Sequence, residues 1–258
     1  MDWSDEGIVL GARKHGESAA IVSLLTRNHG RHMGLVRGGA GRTRRNLMEP
    51  GNLLDAEWRA RLADHLGTYT VELDRAYSAA VLDDPLRLAV LSSACAVADG
   101  ALPEREPHAT IFASMLHLLG GLTRDNAGGE VAVWSALYVR WELDLLRDLG
   151  FGLDLSVCAA TGSEDGLAYV SPRSGRAVSL AAGEAYRDRL LSLPMFLADG
   201  SLPADIDQIA RGLTMTGFFL ERHVFGGLNK PLPAARGRMV SHYQRLVGSA
   251  PSATISSK

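Results

Sequence analysis

Six arginines, Arg27, Arg31, Arg37, Arg42, Arg44 and Arg45, fall within one stretch, RNHGRHMGLVRGGAGRTRR, that contains no aspartate or glutamate. A guanidinium is a fixed fork of N–H donors that matches phosphate oxygens and keeps its charge at neutral pH. Arg13 and Lys14 lie just upstream. A second basic cluster, Arg222, Lys230, Arg236 and Arg238, has no acid between its ends. Cations spaced along strands and a glycine-rich loop suit an extended polyanion better than a small ligand. A solvated basic loop without a partner has the same charge pattern. Helix-end charge that complements the dipole is the plainer account of the second cluster.

Other chemistries find little support. Gly38, Gly39 and Gly41 are not followed by Lys-Ser or Lys-Thr at the spacing of an ATPase phosphate loop. There is no nucleophile elbow and no recognisable carboxylate pair, so an enzyme is not expected. His29 and His32 are three residues apart on an expected hairpin with no third ligand nearby, so no metal is expected there. Glu17 fits a capping or strand-edge role as well as a direct one.

The elements that must position these groups change character along the chain. Gly7–Arg13, Ala19–Thr26 and Arg31–Arg37 read as strands, the last two joined at the turn residues Asn28-His29-Gly30. From Leu54 to Arg61 apolar and charged residues alternate, the mark of a half-buried strand. Thr68–Leu73 is a fifth. Five short strands in about eighty residues suit a small barrel, of OB or SH3-like type.

From Asp84 the period becomes helical. Asp84-Pro85 supplies a cap and a first-turn proline for a helix ending at Gly100. Pro107 opens a second helix, closed by Gly120-Gly121. Gly128-Gly129 precedes a third, with Val131, Trp134, Tyr138, Trp141, Leu145 and Leu149 on its apolar face and Gly150 at its end. The two tryptophans read as core, and Arg140 and Arg147 as solvated charge. Cys158–Ser179 is turn-rich and strand-like. Pro203 begins a further helix through Ile206, Ile209, Leu213, Leu220 and Val224.

The 258 residues allow one large domain or two to three small ones. Apolar content of 46% and charged content of 22% are those of an ordinary globular chain. The net charge of -2 confines any nucleic-acid contact to a patch. Two cysteines, Cys95 and Cys158, exclude a disulfide framework and fit a reducing cytoplasm. Cys95, within an apolar helix, reads as a small buried hydrophobe. The acidic N-terminus lacks the order of a signal peptide. No apolar run approaches the roughly 18 residues that span a bilayer. The expected location is the cytoplasm.

GIVLGARKHGESAAIVSLLTRNHGRHMGLVRGGAGRTRRNLMEPGNLL closely resembles the opening of the RecO recombination-mediator family. Gly16-Glu17-Ser18, Thr26-Arg27, Gly30 and Val36-Arg37-Gly38 carry the match, in order and at tight spacing. The run LERHVFGGLNKPLPAARGRMV resembles the family again, with Ala235-Arg236 in place of its Ser-Arg pair. The resemblance implies an α+β protein: an N-terminal five-stranded OB-fold barrel at 1–80 and a mainly α-helical domain at 81–247. A small insert at about 155–180 would be a degenerate, zinc-ribbon-like remnant, and 248–258 a disordered tail. The resemblance implies that in many relatives this position holds a four-cysteine zinc site. Here only Cys158 remains and Thr161 stands at the next ligand position, so no metal and no other cofactor are expected.

The resemblance further implies a non-enzymatic DNA-binding mediator of the RecF pathway of repair. Such proteins bind single- and double-stranded DNA, anneal complementary strands, and act with RecR to help RecA displace single-stranded DNA-binding protein (SSB). Docking of the SSB C-terminal tail on the helical part is also implied. The expected DNA-binding set is Arg13, Lys14, Arg27, Arg31, Arg37, Arg42, Arg44 and Arg45 along one cationic ridge of the β module, with Arg236 and Arg238 on a subsidiary surface. An RNA- or ribosome-associated OB-fold protein fits the charges equally well.

Overall fold

The structure, a computed structural model, describes residues 1–62, 64–124, 131–201 and 205–249, with the backbone alone at 42, 43 and 249. Strands β1 (Asp2–His15), β2 (Ala19–Thr26), β3 (Gly30–Val36), β4 (Leu53–Arg59) and β5 (Thr68–Arg75) close a barrel in the order β1-β2-β3-β5-β4. β1 and β4 complete the ring, β3 and β5 pair in parallel, and the other pairs are antiparallel. This is the OB-fold, which settles the choice that strand counting left open.

β1 is longer than the expected Gly7–Arg13. Its first half pairs with β4, from Asp2 opposite Arg59 to Ile8 opposite Leu53. Its second half pairs with β2, with a register shift between Val9 and Gly11. One strand thus bends to serve two neighbours, as a bulge permits. The acidic N-terminus is therefore strand.

Two cores explain why β2 is apolar without alternation. Val9, Val22, Leu24, Val36, Leu54, Trp58 and Tyr69 fill the barrel. Ile8, Leu10, Leu25 and Leu53 point outward and join the core of the helical part. Both faces of β1 and β2 are covered there, so period two is lost.

After β3 the chain forms a one-turn helix α1 (Arg42–Arg45) and a 3₁₀ turn Asn46–Met48, where a glycine-rich loop was expected. A second short helix, α2 (Tyr77–Ala80), follows β5. The long helices are α3 (Pro85–Ala101), α4 (Ala109–Thr123) and α5 (Val131–Asp148). Asp84 caps α3 by accepting from the amides of Leu86 and Arg87. Gly100 and Gly120-Gly121 do not end their helices. A Cβ at Gly100 would meet the Phe225 ring at 2.9 Å, and one at Gly121 would meet Leu137 Cδ1 at 2.3 Å. These glycines permit close approach rather than stopping the chain. The separator expected at Gly128-Gly129 lies outside the described residues.

Beyond α5, strands β6 (Leu167–Val170), β7 (Ala177–Ser179) and β8 (Leu191–Ser192) form a small sheet in the order β7-β6-β8. Between β7 and β8 lies α6 (Leu180–Gly183), and α7 (Met195–Ala198) follows β8. Cys158 is buried beside β7 and accepts from the Ser179 amide at 3.2 Å. Burial pushes the Cys95 thiol up to about 12.

α8 (Ile206–Phe219) is capped by Asp205, which accepts from the Gln208 amide. The start expected at Pro203 lies outside the described residues. α8 runs into a π-helical turn, Leu220–Phe225, and α9 (Ala234–Ser249) closes the chain. Gly248 and Ser249 of the expected tail belong to α9; residues 250–258 lie outside the described residues.

Candidate nucleic-acid interface

The β1–β2 turn, Gly16-Glu17-Ser18, sits at one end of the barrel, with Gly16 at φ 62°. β3 arrives at the same end, because Ala20 pairs with Val36. The Ala40 amide donates to Ser18 O at 2.9 Å, fastening the loop after β3 onto that turn. Arg44 Nη1 donates to Arg37 O at 3.1 Å, folding α1 back over the loop. Arg13, Lys14 and Arg45 then border an open hollow of about 430 Å³ between the end of β1 and the segment 39–50.

Arg13, Lys14, Arg37, Arg44 and Arg45 are all exposed. Among the described residues none of the five has a carboxylate partner. Two acids, Glu17 and Glu49, lie in the same region, and Glu49 lines the hollow. Arg42 is in α1, where only its backbone is described.

Asn52, to which no sequence motif points, holds this end in place. It is 1% exposed. Its Nδ2 donates to Asn46 O at 2.9 Å, directly after Arg45. Its Oδ1 accepts from the Ser78 hydroxyl at 2.8 Å and the Ser78 amide at 3.2 Å. The Val9 amide donates to its carbonyl at 2.9 Å. The side chain thus ties the turn after α1 to α2, and the backbone carbonyl of the same residue ties both to the barrel. Its only trace in the sequence is the turn-like run Glu49-Pro50-Gly51-Asn52.

Arg27 and Arg31 are not part of this rim, and the single ridge expected from 27 to 45 is corrected. Ala20 and Arg27 stand at opposite ends of β2, roughly 23 Å apart at a strand's rise. Arg27 pairs with Glu6 and lies 4.7 Å from the Phe112 ring centroid. Arg31 Nε donates to Leu102 O at 2.7 Å, and its Nη1 lies 3.6 Å from both Asp99 and Glu104. β3 runs the length of the barrel between Arg31 and Arg37 and puts them at opposite ends, and the Arg31 end faces the helical part and its acids.

Arg105 completes that junction. Its amide donates to Arg31 O at 2.8 Å and its Nη2 to His65 O at 3.0 Å, so the segment before α4 grips the loop between β4 and β5. Beneath lies an aromatic cluster. Trp3 stacks on His29 at 4.1 Å and on Trp58 at 5.7 Å. His29 Nδ1 is 3.0 Å from Asp5. His32 is buried, with Nδ1 3.0 Å from the Tyr69 hydroxyl. Burial first, then the charge of Arg105, lowers the His32 pKa to about 4. Among the described residues no three His, Cys, Asp or Glu side chains gather as a metal site.

Arg236 is a second correction. It is 5% exposed and bound inside the helical part. Its Nε donates to Glu142 Oε1 at 2.7 Å and its Nη2 to Glu142 Oε2 at 2.9 Å and Leu213 O at 2.7 Å. Burial alone would lower its pKa, but the Glu142 carboxylate outweighs that and raises it. A Cβ at Gly217 would meet Arg236 Nη1 at 2.6 Å, so glycine leaves room for the guanidinium. Arg238, two residues on, is exposed on α9 and does not line the hollow. Arg140 is no solvated charge either: its Nη2 donates to Phe196 O at 2.8 Å.

The closed barrel, with helices on its flank and an unpaired cationic rim at one end, places the chain among OB-fold proteins. Such barrels hold oligonucleotides or oligosaccharides on one face and its loops. Residues 1–77 match the family model described as Recombination protein O N terminal, and residues 82–231 the one described as Recombination protein O C terminal. The chain is 54% identical over 247 residues to DNA repair protein RecO of Rhodospirillum centenum, covering 95% of this chain and 96% of that protein. It is 50% identical to the Rhodospirillum rubrum protein of the same name, covering 95% and 97%. For the Phenylobacterium zucineum protein, also so named, identity is 53%, covering 92% and 95%. The chain belongs to the recombination protein O family. No helix among the described residues is long and apolar enough to cross a membrane.

Proposed function

We propose that this protein is a non-enzymatic DNA-binding mediator of recombinational repair, gripping the sugar-phosphate backbone at the barrel rim. Arg13, Lys14, Arg37, Arg44 and Arg45 do the gripping, together with Arg42. The observation that carries this reading is the Ala40–Ser18 backbone bond, which joins two basic segments into one rim without carboxylate partners. Cations without a carboxylate partner are free to neutralise phosphates, and the released counterions drive binding. Backbone contacts carry no sequence information, so binding has no sequence preference. Both single and double strands present phosphates, and one rim that meets either can bring complementary strands together for annealing.

Family membership supports the wider role: action with RecR, and help to RecA in replacing SSB on gapped DNA. The helical part supplies the surface for protein partners, the SSB tail among them. Arg27, Arg31 and Arg236 act as structural cations.

The test is a gel shift and strand-annealing assay with Arg37, Arg42, Arg44 and Arg45 all changed to alanine, alongside a thermal melt. A folded variant with lost binding is the expected result. For the unaltered protein, contacts with about three to six single-stranded phosphates give a slope of log K against log salt of about −2 to −4. A flat salt response, or unchanged binding by the variant, overturns the reading.

A further inference from the structure

The hollow at the rim has a floor that phosphate does not explain. Ala12, Ala20, Gly39, Ala40, Met48 and Pro50 line it, and the cations Arg13, Lys14 and Arg45 stand at its border. Its volume of about 430 Å³ falls in the range of pockets that take a small organic group, roughly 300–1,000 Å³. Glu49 also lines it. A site built only for phosphate gains nothing from an apolar floor, and a carboxylate in it repels the ligand.

Both features make sense for a different part of the same polymer. An unstacked adenine, cytosine or guanine has an apolar face for the floor, and its exocyclic amino group donates to a carboxylate. Guanidinium planes also stack on bases. The flanking phosphates of the strand then meet the bordering cations. A base held in a duplex is stacked and paired on both sides and cannot enter.

We infer that this hollow receives one unstacked nucleobase of single-stranded DNA, with Glu49 accepting from its amino group. The inference rests on the rim as the DNA-binding site and adds to it a preference for single strands with exposed bases. Glycine at position 39 keeps the floor low: a Cβ there would lie 3.0 Å from that of Ala20 and 3.1 Å from Val36 O. The loop therefore rests directly on β2 and leaves the space above it open.

The experiment compares fluorescence anisotropy of the full chain with three labelled probes at one moderate salt concentration. The probes are an oligo-dC, an abasic oligomer of the same length and charge, and a duplex. Oligo-dC binds about fivefold more tightly than the abasic probe, as expected for one base contact weaker than aromatic stacking. Glu49→Ala narrows that ratio while strengthening the abasic probe, because it removes a repulsive charge. Ala12→Leu, which fills the hollow and keeps every cation, also narrows it. Equal binding of dC and abasic probes, both salt-sensitive, overturns the base hollow and leaves the cationic rim standing. A ratio that neither variant changes means the base is read elsewhere and overturns the assignment. Failure of all probes to bind overturns the rim itself.

Discussion

Arg236 and Glu142 meet in a two-pronged ion pair inside the helical part, with contacts of 2.7 and 2.9 Å. The pair joins α9 to α5, and Thr216 of α8 donates to the same carboxylate. Tyr138 donates to Glu142 Oε1 at 2.9 Å, and its hydroxyl is 2.7 Å from Ser93 Oγ of α3. Four helices are thus tied by one buried network. Removing one member leaves the other charge buried without its partner, which costs about 3–5 kcal/mol. Arg236→Ala is expected to lower the unfolding free energy by that scale, and with it the urea midpoint, whereas Arg238→Ala leaves both unchanged. Equal behaviour of the two variants in urea melts contradicts this account.

The two ends of β2 give opposite expectations for their arginines. Arg45→Ala removes a free cation, so the salt slope for single-stranded DNA falls in magnitude by about 0.7 for each phosphate left without its cation, with little change in stability. Arg31→Ala leaves the slope alone and destabilises the protein, because Leu102 O loses its donor and Asp99 and Glu104 lose their counter-charge. Salt titrations paired with thermal melts separate the cases. A slope change in Arg31→Ala would return that residue to the interface.

Asn52→Ala breaks the side-chain tie between the turn after α1 and α2 and leaves the backbone bond to Val9 intact. The side chain's partners Asn46 and Ser78 are reached by water, so each lost hydrogen bond costs about 0.5–1.5 kcal/mol, and a stability loss of that order is expected. The segment carrying Arg44 and Arg45 loosens, and DNA affinity drops although no cation has been removed. Hydrogen exchange at Asn46–Met48 reads the loosening directly; unchanged exchange together with unchanged affinity would refute it.

His32 makes stability depend on pH. Its folded pKa, about 4, lies below the 6.5 of the free side chain. Between those values the unfolded chain holds more protons, so stability falls as pH falls from 6.5 towards 4 and is fully present above 6.5. The contribution is on the order of 3 kcal/mol. Urea melts at several pH values should show this slope, and His32→Gln should flatten it. An equally steep slope in the variant assigns the effect to other groups.

The order of strands and helices was legible because it is written in local terms. Alternation at Leu54–Arg61, the Asp84-Pro85 cap and the three- and four-residue steps from Val131 to Leu149 each depend on a few neighbours. The arginine-rich stretch was equally visible as charge, and the resemblance named the family from short ordered motifs. None of this states which way a side chain faces once the sheet closes.

Tertiary structure decided which cations are free. Register put Arg13 and Lys14 beside Arg45, more than thirty residues away in the chain, and sent Arg27 and Arg31 to the end covered by helices. A distant carboxylate, Glu142, drew Arg236 into the core. A Cβ at Gly39 would come within 3.0 Å of the Ala20 Cβ, so glycine there lets the loop rest on β2. Charge is a property of a residue, but its availability depends on what long-range packing places within reach.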